Sequence, residues 1–272
     1  MQSVSPDSSV DPIQKINKLS FAISGLESEH GSSAKIRSLF QYYQEIADAY
    51  RDSDWMRSKF YVSKSVKIRL LHRDVFSSSE AEEWIEKALL FQKTPEDAAS
   101  FFEEVAEFSV AERLPDSVAI TYYEKAADLY RNDWQLSKAS KLFFKLGELH
   151  ENRKAYLAAA DSFVKAMRCI NLPSPGYCER AAVNYAKSEP PEHEKAAEYF
   201  RLTAKWYENW RQFRFAARYY MRAAKHELEV KRVNSWDKVA SSYCKAADCY
   251  RADGDSAQME ACYQLFKEKN QK

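Results

Sequence analysis

The chain has 272 residues, of which 45% are hydrophobic and 14% aromatic, enough apolar material for a continuous core. Only 5 glycines and 8 prolines occur, which disfavours an all-β fold. A formal net charge of +1 excludes a general electrostatic attraction of the whole chain to nucleic acid or anionic lipid.

The first ten residues are rich in serine and aspartate and are predicted to form a disordered tail. An apolar series from Ile13 to Leu26 then predicts a first helix. No linker is long enough to separate domains, so residues 11–272 are predicted to form a single α-helical repeat domain. The N-terminus lacks a signal-peptide pattern and no apolar run reaches transmembrane length, so we expect a cytoplasmic protein, peripheral where it meets membranes.

One helical pattern recurs along the chain. The strings SLFQYYQEIADAYRD at 38–52, ITYYEKAADLYRND at 120–133 and SSYCKAADCYRADG at 241–254 align residue for residue at their tyrosine, alanine, aspartate and arginine positions. Weaker copies centre on Phe163 and Phe200, which gives a period of roughly 40 residues and two helices per unit. The pattern predicts an all-α superhelical stack of about six helical hairpins, a solenoid like those of tetratricopeptide (TPR) proteins. The predicted hairpins span 32–73, 78–113, 115–153, 154–187, 192–230 and 235–269.

Basic residues follow helical spacing in two places. On the helix that begins near 136, Lys138, Lys141 and Lys145 lie opposite the apolar positions. Further along, five cations recur at intervals of three and four and therefore share one helix face: Arg211, Arg214, Arg218, Arg222 and Lys225. These rows predict docking surfaces for an acidic helical partner, although an ordinary solvated helix face explains the pattern equally well.

The segment 80–107 has the opposite charge, with nine carboxylates and only two lysines. Solvation of a helix surface is the favoured interpretation of this segment. Binding of a basic partner, or head-to-tail contact with the basic row of another copy, is the alternative.

Catalytic and metal-binding patterns do not appear in the sequence. The five cysteines form no C-x-x-C pair, the five histidines are scattered, and no glycine-rich phosphate loop or nucleophile elbow occurs. We therefore expect no enzyme activity, no cofactor and no metal. Neither a nucleic acid nor a small-molecule substrate is expected as a ligand.

The stretch YYEKAADLYRNDWQLSKASKLFFKLGELHENRKAYLAAADSF resembles the soluble NSF attachment proteins, or SNAPs. Its most similar string is HENRKAYLAAADSF at 150–163, which looks like a hairpin junction of the gamma-type members. A second block, EPPEHEKAAEYFRLTAKWYENWRQFRFAARYYMRAAK at 189–225, is similar to later SNAP repeats. The resemblance covers about 115–255 and implies a right-handed stack of helical hairpins.

The resemblance also implies a function, that of a non-catalytic adaptor in vesicle-mediated trafficking. SNAPs present basic residues to the acidic SNARE four-helix bundle, recruit the NSF ATPase and touch the membrane through an apolar loop. In one register Arg218 takes a SNARE-facing basic position; in the other Lys141 does. This chain ends in LFKEKNQK, where SNAPs have an acidic segment with a leucine. The alternative is a structural subunit of another large complex, bound through exposed aromatic side chains.

Overall fold

The computed structural model describes residues 17–18, 21–23, 32–76, 94–170, 174–230 and 235–270, and within these ranges all regular secondary structure is α-helical. The chain packs as two compact units, divided between Leu129 and Tyr130 within helix α4. The helices are α1 (Ser33–Tyr50), α2 (Trp55–Leu71), α3 (Pro95–Ala111), α4 (Asp116–Asn132), α5 (Leu136–Asn152), α6 (Tyr156–Arg168), α7 (Pro175–Lys187), α8 (His193–Asn209), α9 (Phe213–Glu229), α10 (Ser235–Ala252) and α11 (Ser256–Asn270). Across these ranges no helix is long and apolar enough to cross a bilayer.

Polar side chains cap the N-termini of two helices in the first unit, α2 and α3. The carboxylate of Asp54 accepts a hydrogen bond from the backbone N–H of Arg57 at 3.1 Å and so begins α2. The hydroxyl of Thr94 accepts one from the backbone N–H of Asp97, also at 3.1 Å, just ahead of the first helical residue of α3, Pro95. Each cap satisfies a backbone donor that the helix itself leaves free.

Adjacent aromatic residues fill the core of the first unit. Phe101 and Phe102 on α3 are 0% and 2% exposed, and Tyr122 and Tyr123 on α4 are also buried. The rings of Phe102 and Tyr122 stack with their centroids 6.0 Å apart. Both members of each pair therefore belong to the core, as the sequence predicts for helices packed on two sides.

In the second unit each helix from α5 to α11 packs against the next one in the chain. Paired alanines allow this close approach because their side chains end at Cβ, and large rings such as Phe163, Phe200 and Tyr220 fill the remaining space. The buried pairs are Ala159–Ala160, Ala181–Ala182, Ala196–Ala197, Ala216–Ala217, Ala223–Ala224 and Ala246–Ala247. The prediction of stacked helical hairpins is confirmed here.

The predicted hairpin bounds agree closely with the helices. The predictions 32–73, 115–153, 154–187, 192–230 and 235–269 correspond to the pairs α1–α2, α4–α5, α6–α7, α8–α9 and α10–α11. Helix α7 is short, as the surrounding prolines predict, and Ser174 caps it. The tail 1–10, most of the first predicted helix and the first helix of 78–113 lie outside the described residues, and the single domain over 11–272 stays a prediction.

Several helices end in the same left-handed turn. After α4, for example, the N–H of Gln135 donates to the carbonyl of Tyr130 at 2.9 Å, and Trp134 between them has φ of 60°. This is the helix-ending motif that normally places glycine at the left-handed position. The same position is taken by Arg113, Lys154, Arg211 and Gly254 after α3, α5, α8 and α10.

Trp134 lowers the stability of the fold at this position, because a bulky residue at positive φ is strained. Its ring is 83% exposed, so packing contacts do not offset the strain. We expect Trp134→Gly to raise the free energy of unfolding by up to about 1 kcal/mol. Thermal unfolding followed by circular dichroism measures this. Gly254→Trp, the reverse change at the equivalent turn, should lower stability by a similar amount; a destabilised Trp134→Gly variant would contradict the assignment of strain.

Candidate protein-binding surface

Helix α9 is amphipathic, with its two faces sharply divided. The residues Ala216, Ala217, Tyr220, Ala223 and Ala224 are buried against α8 and α10. The cationic side chains of Arg214, Arg218, Arg222 and Lys225 are all exposed on the remaining face. Alanines and cations alternate at helical spacing, so one sequence pattern produces both the close packing and the basic surface.

The structure brings four of the five predicted cations onto one helix, but Arg211 is not among them. The prediction of a shared helix face for Arg211 is wrong, because α9 begins at Phe213 and Arg211 lies in the preceding turn with φ of 57°. The regular spacing of charges continues across this turn, which is why the sequence pattern does not reveal it.

The four helical cations differ in how firmly they are held. The guanidinium of Arg222 lies 4.6 Å from the ring centroid of Phe200 and pairs with Glu179 at 3.7 Å. Lys225 lies on the rim of a cavity of about 720 Å³ with Trp236 and Leu265. Arg214 and Arg218 form no ion pair with any residue in the described ranges, so their charges remain available to a partner. We call Arg214, Arg218, Arg222 and Lys225 the α9 basic row.

The second predicted row lies on α5. Lys138 and Lys141 are exposed and Lys145 is partly buried, while Ala139, Leu142 and other apolar residues face inward. The ammonium of Lys138 lies 5.0 Å from the ring centroid of Tyr130, so the side chain is partly held by its own unit. Helices α6, α7 and α8 come between α5 and α9 in the packing order, so the two rows are separate surfaces.

Part of the acidic segment 80–107 has structural partners. The ammonium of Lys67 contacts a carboxylate oxygen of Glu104 at 2.5 Å, and the hydroxyl of Ser63 donates to the same atom at 2.9 Å. Burial acts to raise the pKa of Glu104, but these two hydrogen bonds and the charges of Lys67 and Lys59 together outweigh burial, so the pKa is lowered. Lys59 also lies 3.7 Å from Asp97. These acids hold α3 against α2; residues 80–93 lie outside the described ranges.

A buried ion pair lies behind the α9 basic row. Glu227 on α9 is 3% exposed and accepts a hydrogen bond from Arg201 on α8. Burial raises the pKa of Glu227, while the charge of Arg201 acts in the opposite direction. The pairing was missed from the sequence because it joins residues 26 positions apart.

Two histidines, His193 and His226, meet where α8 begins and α9 ends, at the end of the hairpin away from its turn. The Nδ1 atoms of His193 and His226 are 3.1 Å apart, and the ring of Phe200 stacks on His226 with centroids 5.5 Å apart. One facing nitrogen must donate and the other accept, so the pair cannot hold a proton on both. Burial, then His193, Lys225 and Arg222, lower the pKa of His226 below 6.5, with Glu229 acting in the opposite direction.

This pair predicts a pH-dependent stability. Because the folded pKa of His226 is lower than the unfolded one, its stabilising contribution is complete above about pH 6.5 and is lost as the pH falls from there through the folded pKa. Urea unfolding between pH 8 and pH 5 should show this loss, and His226→Phe should reduce it. An identical pH profile for the two proteins would contradict the assignment to His226.

Comparison with known proteins gives one family match. Residues 41–171 match the family model described as "Soluble NSF attachment protein, SNAP". The vesicular-fusion protein SEC17 of Komagataella phaffii is 28% identical over 185 residues, which is 68% of this chain and 54% of that protein. The chain therefore spans about half the length of the curated relative that it matches.

Solved structures match the chain only at low identity and low TM-score. Aspartyl phosphate phosphatase F from Bacillus subtilis is 10% identical, with a TM-score of 0.37, over 98% of this chain and 73% of that one. A putative kinesin light chain with TPR-like repeats from Podosopora anserina is 12% identical, with a TM-score of 0.28, over 88% of this chain and 96% of that one.

Proposed function

Because the chain is a divergent member of the soluble NSF attachment protein family, we propose that it is a non-catalytic adaptor in vesicle-mediated membrane trafficking. The proposed partner is a SNARE-type bundle of helices with an acidic surface, and the proposed location is the cytoplasm, peripheral on membranes. The observation that supports this proposal is the exposed basic row on α9, in which Arg214 and Arg218 lack an intramolecular carboxylate partner among the described residues.

Charge complementarity explains how such a row would act. The cations recur every three or four residues, which places them along one line of the helix surface. A rod-shaped partner with carboxylates along its length pairs with such a line at several points at once. Each exposed ion pair contributes little to the binding free energy by itself. Together the pairs speed association and fix the register of the partner.

A charge-reversal experiment tests the proposal. Arg214→Glu/Arg218→Glu changes two unpaired surface cations and leaves Arg222, which contacts Phe200, in place. We expect binding to a purified SNARE bundle to weaken by about tenfold or more. The control is Arg153→Glu/Lys154→Glu, an equal change of charge at two exposed residues outside the row. Equal binding by all three proteins would contradict the proposed docking surface.

The same assay distinguishes the two possible alignments of this chain to the family repeats, in which either Arg218 or Lys141 faces the bundle. If the α5 row contacts the bundle instead, Lys138→Glu/Lys141→Glu should weaken binding and the α9 variant should not. Recruitment of an NSF-type ATPase is a further part of the proposal and is supported by the family match alone. Co-sedimentation of the ATPase with the bundle-bound chain, against the bundle alone, measures it directly.

Trp134 favours a second function, that of a structural subunit in another large assembly. Its ring is 83% exposed at a strained turn, where a partner would bury it. A subunit of this kind should aggregate when purified without its partner, whereas the proposed adaptor should be monomeric in light scattering.

A further inference from the structure

Exposed aromatic side chains cluster at the tip of the α8–α9 hairpin. Trp210 is 61% exposed and Phe215 49% exposed. The ring centroids of Trp206 and Trp210 are 4.0 Å apart, and Tyr207 stacks on Phe215 at 5.5 Å. The rings thus support one another and still present apolar surface to solvent.

The turn that carries these rings is well ordered. The N–H of Gln212 donates to the carbonyl of Tyr207 at 2.9 Å, and the N–H of Arg211 donates to the carbonyl of Glu208 at 2.9 Å. Because the backbone is fixed and the rings are stacked, little conformational entropy remains to be lost when the tip meets a ligand. The tip is the turn between α8 and α9, and the exposed fractions of Trp210 and Phe215 show that it presents apolar surface to solvent.

The charge around the tip is positive. Lys205, Arg211 and Arg214 are exposed, and the only carboxylate between residues 202 and 216 is that of Glu208. That carboxylate accepts a hydrogen bond from the hydroxyl of Tyr220 at 2.7 Å. The tip therefore combines the exposed indole ring of Trp210 with three exposed cations, against which this stretch has one carboxylate, that of Glu208.

We propose that this tip, formed by Trp206, Trp210 and Phe215 with Lys205 and Arg211, docks on the surface of an anionic lipid bilayer. Tryptophan favours the boundary between headgroups and acyl chains because its ring is apolar and its N–H polar. Arginine and lysine beside it pair with lipid phosphates and carboxylates. Exposed rings on a short turn suit insertion into a fluid headgroup layer, whereas a protein partner would need a preformed pocket of matching shape.

This contact rests on the proposed function, because it assigns the proposed membrane location to a specific site, and it requires neither the helical bundle nor the ATPase. The lipid contact would hold the second unit at the membrane through a surface of that unit. A membrane contact at this hairpin also leaves the exposed cations Arg218, Arg222 and Lys225, further along α9, available to another partner.

Vesicle flotation with the full chain tests the proposal. Binding is expected to vesicles of phosphatidylcholine with phosphatidylserine, and not to phosphatidylcholine alone. Lys205→Glu/Arg211→Glu should lower the partition coefficient by about 30-fold or more. Trp206→Ala/Trp210→Ala should lower it by about tenfold or more, because both rings leave the interface. These cations lie outside the α9 basic row, so loss of vesicle binding is distinct from loss of SNARE binding, which is measured without lipid.

The matched control is Trp236→Ala. Trp236 is 41% exposed but lies beyond the far end of α9, about 25 Å from the tip along that helix. It should bind vesicles as the unaltered chain does. Trp210→Ser alone provides a milder variant if the double change reduces folding, which circular dichroism reports. No binding to anionic vesicles, or equal binding by tip and control variants, would overturn the proposal.

Discussion

Gly147→Ala is expected to destabilise the second unit by about 1–3 kcal/mol, although alanine is the better helix former by about 1 kcal/mol. A Cβ atom on Gly147 would lie 2.5 Å from Cε1 and 2.6 Å from Cζ of Phe163. That ring is 0% exposed, has the Phe144 ring against it and has the Arg180 guanidinium 4.5 Å above it, so it has no free space into which to move. Overpacking therefore outweighs the gain in helix propensity.

Urea unfolding of three variants checks this prediction. Gly176→Ala is the control, because the nearest atom to its new Cβ is the Ser174 hydroxyl oxygen at 3.6 Å, so its stability should stay the same or rise slightly. Adding Phe163→Leu to Gly147→Ala should recover part of the loss by opening space for the methyl group. A Gly147→Ala protein as stable as the original would show that α5 and α6 are not packed as closely as described.

Arg201→Met is expected to lower the free energy of unfolding by about 3 kcal/mol, because it leaves the buried carboxylate of Glu227 without its counter-charge. Burial already raises the pKa of Glu227, and removing the cation raises it further. A carboxyl with a raised folded pKa loses stability as the pH rises from the unfolded value through the folded one. The deficit of Arg201→Met should therefore shrink toward acid pH.

A double variant separates the lost ion pair from lost packing. Arg201→Met/Glu227→Leu replaces both charges with apolar groups and should recover most of the stability. Thermal and chemical unfolding at pH 5 and pH 7.5 provide the measurement. If the double variant is no more stable than Arg201→Met, the charge of Glu227 is not the cause of the loss.

The fold was largely predictable because its signals are local. Small residues, often paired alanines, and large aromatics recur at helical spacing along the chain, and most copies repeat them. The same alignment contains a signal for the turns as well, because the position of Gly254 in one copy is Trp134 in another. The alignment therefore indicates that Trp134, like Gly254, takes the left-handed backbone conformation just after its helix.

The contacts behind the surface were less predictable. His193 and His226 are 33 positions apart, and Arg201 and Glu227 are 26 apart, so their meeting depends on how α8 and α9 align. The basic row was visible as a charge pattern, but that pattern continues through the turn at Arg211. Only backbone conformation distinguishes this residue from the four cations that share the helix.

The proposed function requires that the second unit present the exposed positive charges of α9 to an acidic helical bundle. Isothermal titration of the full chain with a purified SNARE four-helix bundle, at low and at high ionic strength, tests it most directly. We expect a single binding event whose affinity falls steeply as salt screens the exposed charges. Absence of binding at low ionic strength, or an affinity that salt leaves unchanged, would contradict it.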